Sequence, residues 1–119
     1  MSSESDLYAA LTARAGLTAL VGTRIDPDAI PEGRALPAIV YQRASTTPVT
    51  TIGGVEVAED VRFAITAWAE TRTAADAVAD QIAAAIATAG SPTADRTTGY
   101  DQECGLYACT IECDWLHTF

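Results

Sequence analysis

The chain has no lysine and no asparagine, and one histidine, among its 119 residues. Both missing residues need A-rich codons, so their absence reports a GC-rich genome and carries no structural meaning. All seven cations are arginines, set against sixteen acidic residues, for a net charge of −9. The arginines are scattered, so no strongly basic face can form. Tight binding to nucleic acid by phosphate neutralisation is therefore disfavoured, while passive passage of DNA past an acidic surface is compatible with the charge. The plainest role of that charge is solubility. No apolar stretch approaches the ~20 residues that span a bilayer, so no membrane contact is expected. Met1–Asp6 is polar and acidic, without the basic start and apolar run of a secretion signal, and the expectation is a protein made and folded in the cytoplasm. Cys104, Cys109 and Cys113 are odd in number and without secretory context, so they read as free thiols rather than a disulfide framework.

What is present suits one α+β domain over residues 1–119, with an ordered core over about 5–117. A domain of this size buries roughly two-thirds of its unfolded surface and needs no metal or disulfide to fold. Apolar residues make up 49% of the chain, but alanine inflates the figure. The core is expected to be small, or completed by a neighbouring subunit.

Periodicity sets the expected elements. Ser3 or Ser5 caps a first helix whose face carries Leu7, Ala10, Leu11 and Arg14, and Gly16 stops it. Leu17, Leu20 and Val21 add a short helical turn, and Arg24–Asp26 a brief strand before Pro27. Asp28–Pro37 reads as a surface loop. Pro37–Ser45 is a strand, Thr46–Gly54 a polar tip with two glycines suited to positive φ, and Val57–Trp68 a long second strand. From Val55 onward Val55, Val57, Val61, Phe63, Ile65 and Ala67 line one face, and burial is expected to begin at Val61 because Glu59 interrupts the apolar face. Thr73, with Asp76 three residues on, caps an alanine-rich helix to Ala89. Ser91–Gly99 reads as a polar linker. Leu106–Phe119 alternates as a last strand, with Tyr100–Glu103 a short partner ahead of it. The expected architecture is a mostly antiparallel sheet of about four strands carrying two main helices, in the order α-β-β-α-β.

The constellations that resemble chemistry each have a simpler account. Cys109, Cys113 and His117 are spaced by four, but in a strand residues four apart stand ~13 Å apart, too far for one zinc ion. His117 lies two residues from the chain end, a poor place for a catalytic group. The pairs Glu59/Asp60, Asp26/Asp28 and Glu112/Asp114 lack an associated Lys or His and read as solvated surface. A Glu112/Asp114 face is also able to meet arginines of a second subunit. Leu36–Ala89 contains no His, Cys or Lys and no glycine-rich phosphate loop. No catalytic, metal or cofactor residue is assigned, and the chain is not expected to be an enzyme. Trp115 is expected in the core. Trp68 falls on the polar face of its strand, so it lies either under the second helix or in a subunit contact.

The order of motifs is more specific than any one of them. "LYAALTARAGLTALVGTRIDPDAIPEGRALPAIVYQRAS" followed by "VRFAITAWAETRTAADAVADQIAAAI", and closed by "LYACTIECDWL", resembles the tail-completion (tail-terminator) proteins of long-tailed bacteriophages over about Leu7–Leu116. The resemblance implies a virion structural protein that assembles into a ring, commonly a hexamer, at the head-proximal end of the tail tube. Such a ring stops tube polymerisation and joins the tail to the head connector or head-closure protein. DNA passes through its lumen without specific binding. The location implied is the tail and neck of the virion, after assembly in the host cytoplasm. "TTPVTTIGG" and "LHTF" depart from the family pattern. Thr50, Ile52, Gly53 and Gly54 at the tip, together with Trp68, are the residues expected to touch the tube or a neighbouring subunit. Another neck component, or a small binding domain unrelated to phage, is the competing expectation.

Overall fold

Strong alternation over Glu56–Ala69 produces the central strand of the protein, seen in a computed structural model that describes residues 3–22, 24–27, 36–90, 93–103 and 105–118. The elements are α1 (Ser3–Ala13), α2 (Ala15–Val21), β1 (Ile25–Pro27), β2 (Ala38–Thr50), β3 (Glu56–Ala69), α3 (Arg72–Thr88), β4 (Thr93–Asp101) and β5 (Leu106–Thr118). The five strands form one sheet in the order β1-β2-β3-β5-β4. β1 runs parallel to β2, and every other pairing is antiparallel.

Four strands and two main helices were too few. The described elements are three helices and five strands in the order α-α-β-β-β-α-β-β. The strand hidden in the expected linker is β4, whose sequence TADRTTGYD shows no apolar alternation. An edge strand needs none: its partner β5 supplies the ladder, and its own side chains face water. β1 is a real strand because Ile25, Asp26 and Pro27 align with Ile39, Val40 and Tyr41 of β2. Gly16 does not end the first helix; α1 ends at Ala13, and Gly16 lies inside α2. Ser3 and Ser5 lie within α1, not ahead of it. Most of the expected Asp28–Pro37 loop, and Cys104, lie outside the described residues.

One face of the sheet carries all three helices. Leu7 and Leu11 of α1, Leu17 and Val21 of α2, and Val78, Ile82 and Ile86 of α3 share one core cluster with Ile39, Val61, Phe63, Ile65, Ile111, Cys109 and Cys113. Each such fully buried large side chain contributes about 1.5–3 kcal/mol. Ala75, Ala79 and Ala85 let α3 lie close on β3 and β5. Thr71 caps α3, not Thr73: its side chain accepts a hydrogen bond from the Ala74 amide at 3.2 Å. Asp76 then falls beyond the first turn and pairs with Arg96 of β4 at 3.7 Å. Arg96 also meets Asp80 at 2.7 Å, tying the edge strand to the helix above it. At the other end Arg24 donates through Nε to the Pro37 carbonyl at 2.9 Å and through Nη2 to the Leu20 carbonyl at 3.1 Å, joining α2 to the start of β2.

Candidate functional site

The β2–β3 hairpin outruns the helices. Tyr41 is the last buried residue of β2, and everything from Gln42 to Val57 is exposed. The molecule is correspondingly long, 51 Å against 29 and 24 Å in the other directions. The ladder continues through the arm to Thr50 opposite Glu56, with shifts between Arg43 and Ser45 and between Val49 and Thr50. An extra residue in one strand bends it and sharpens its twist.

The turn itself is short. Thr51 donates its amide to the Val55 carbonyl at 2.8 Å, and Gly54 donates to the Thr51 carbonyl at 2.9 Å. The Thr51 hydroxyl accepts from the Val55 amide at 3.3 Å. Gly54 sits at φ +85°, a conformation that side chains with a Cβ rarely adopt. The turn thus holds its shape through Thr51, Gly54 and Val55. Ile52 takes no part in these bonds and stands at 110% relative exposure, with Val55 at 63% and Val57 at 43% beside it. Three β-branched apolar side chains thus stand in solvent at the end of a projecting arm.

Of the expected contact residues, Thr50, Ile52, Gly53 and Gly54 come together at this tip. Trp68 does not join them. It pairs with Ala38 and Ala108 at the far end of β3, roughly 40 Å from the turn at ~3.3 Å per residue. It lies on the face away from the helices, so the alternative that placed it under α3 is overturned. That face is half apolar. Ala38 and Val40 are buried on it, Ala64, Trp68 and Ala108 are half-buried, and Thr66 and Thr110 share a hydrogen bond at 3.1 Å. Nearer the arm, Arg62 meets Glu112 at 3.4 Å and Asp114 at 3.3 Å. The hydrogen bond to Glu112, then the neighbouring carboxylate charges, hold the guanidinium above its usual range. Glu112 and Asp114 therefore serve an arginine of their own chain.

Among the described residues no three His, Cys, Asp or Glu side chains stand close enough to hold a metal ion. Cys109 and Cys113 are buried thiols on the helix-facing side of β5. Burial pushes the Cys113 thiol up to about 11, with the Asp114 charge adding to the rise. A thiol held protonated in the folded state favours folding below the unfolded value near 9.0, and that advantage is lost as pH rises toward 11. Stability is therefore expected to fall between those two values. Thiol alkylation at pH 8 is expected to reach Cys113 only at the rate of unfolding, which mass spectrometry after timed iodoacetamide treatment checks. Trp115 lies in the core as expected, edge-on to Phe63 with ring centroids 6.4 Å apart.

Two comparisons bear on this geometry. No curated protein matches the chain. A solved chain from the "Virion of native gene transfer agent (GTA) particle" has the same fold, with a TM-score of 0.78 at 18% identity over 95% of this chain and 92% of that one. The model of the family described as "Tail completion protein gp17" matches residues 5–118. That match covers nearly the whole chain and makes it a non-catalytic structural protein of the virion tail and neck; the chain belongs to the tail completion protein gp17 family.

Proposed function

We propose that the chain, as one folded domain, assembles into a ring of six copies that caps the head-proximal end of the tail tube. The ring ends tube polymerisation and presents its other side to the head connector or head-closure protein. The observation that carries this reading is the projecting β2–β3 arm with Ile52 at its tip. A terminator must reach a neighbouring polymer while keeping its own core closed, and an arm whose turn is held by backbone bonds does both. Family membership and the shared fold with a virion chain support it. The net charge of −9 suits a lumen through which DNA slides without sticking.

Removing the gene tests the proposal. Particles made without the protein are expected to show headless tubes of unregulated length by electron microscopy. Tails of normal length still lacking heads would instead identify a head-closure component, and normal joined virions would exclude both roles. Antibody labelling then separates the two neck positions: a terminator stays with isolated tails, a head-closure protein with isolated heads.

A further inference from the structure

The sheet leaves two edges open. β1 covers β2 only from Ile39 to Tyr41, and beyond it no strand lies beside β2 among the described residues. β4 ends the sheet on the other side. Ser45–Thr50 and Asp95–Tyr100 are exposed throughout, so neither edge is covered.

These edges fit one another. β2 runs parallel to β1 and antiparallel to β3; β5 returns to the direction of β2, and β4 opposes β5. β2 and β4 thus point in opposite directions. When a second copy keeps the same orientation, its β4 meets this β2 as an antiparallel partner, the pairing with the better hydrogen-bond geometry. Natural proteins guard open edges with charge. Here Ala44–Val55 carries no charged residue at all, and is rich in Thr, Val and Ile. Pro48 is the one guard, removing a single donor and leaving its neighbours able to pair. On β4 the Arg96 side chain is drawn over to Asp76 and Asp80, which leaves the strand's outer edge clear of it.

We propose that Ser45–Thr50 of β2 accepts β4 of a second copy of this chain as an added antiparallel strand. The contact uses different surfaces on the two copies, so it repeats head to tail and closes when the rotation allows. β4 lies opposite Leu106–Cys113 at the base of the sheet, whereas its acceptor lies on the arm. Each copy therefore steps along the strand direction relative to the next, the stagger that goes with tilted strands in a closed sheet. The proposal deepens the ring reading and rests on it.

The test uses the full chain in a Cys104→Ser background, with Thr47→Cys and Thr97→Cys combined, treated with a short flexible bis-maleimide. Cys109 and Cys113 are buried and do not compete. A ladder of dimer, trimer and higher species is expected on a denaturing gel, and neither single variant can extend beyond a dimer. The same samples are sized by light scattering, alone and with tail tubes. An oligomer that yields no ladder overturns strand addition and leaves the ring intact. A chain that stays monomeric in every sample, with no ladder, overturns both.

Discussion

Replacing Phe63 by alanine is expected to lower the melting temperature by roughly 10–25 °C, from a loss of about 3–5 kcal/mol. Phe63 is fully buried, stands between Val61 and Ile65 on the helix-covered face of the central strand, and presents its ring at 78° to that of Trp115. Its removal empties the space between β3 and the layer above, and the flanking strands are fixed by their ladders on both sides. They cannot collapse inward to fill the gap, so the cavity cost adds to the lost transfer energy. Phe63→Leu keeps most of the volume and is expected to cost well under half as much. Scanning calorimetry of the two variants checks both values; a shift below about 3 °C for the alanine variant would show that the core closes around the gap.

Ile52→Asp is expected to do the opposite, leaving the melting temperature within about 1 °C of the parent while blocking tail completion. The side chain touches nothing that holds the turn, and its full exposure means the folded chain gains nothing from it. At an assembled contact the same position becomes desolvated, and a carboxylate without a partner there costs several times what an isoleucine contributes. Binding to purified tail tubes is expected to weaken at least tenfold, which corresponds to about 1.4 kcal/mol. Co-sedimentation with tubes measures the first effect and tail length in complemented particles the second. Normal tails from this variant would remove the tip from the contact.

Most of the core was visible in the sequence, because apolar alternation along β3 and β5 and helical spacing in α3 all come from burial on one side. Val61, Phe63, Ile65 and Ala67 are buried as the alternation predicts, and Val55 and Val57 are not. What escaped was structure that burial does not write. β4 is polar because it faces water, so TADRTTGYD resembles a linker as well as a strand. The cap of α3 was displaced by two residues because Thr73 stands three before Asp76 and imitates a capping box, while the Thr71 that does the capping has only alanine at that spacing. Trp68, the other residue expected in a contact, stands at the opposite end of β3 from the tip, as strand length alone requires. The open edges were beyond reach for another reason: which strand has a neighbour is a property of the whole sheet.

The bulge between Val49 and Thr50 has a mechanical consequence. It interrupts the ladder just past Ala58, where β5 ends its pairing with β3 and the hairpin goes on as two strands alone, so bending concentrates there. With roughly 10 Å of strand beyond it at ~3.3 Å per residue, a tilt of about 10° displaces the tip by about 2 Å. The arm is then a lever with a stiff anchor and a compliant joint. At the proposed contact, such a joint absorbs small mismatches in position without disturbing the packing around Phe63.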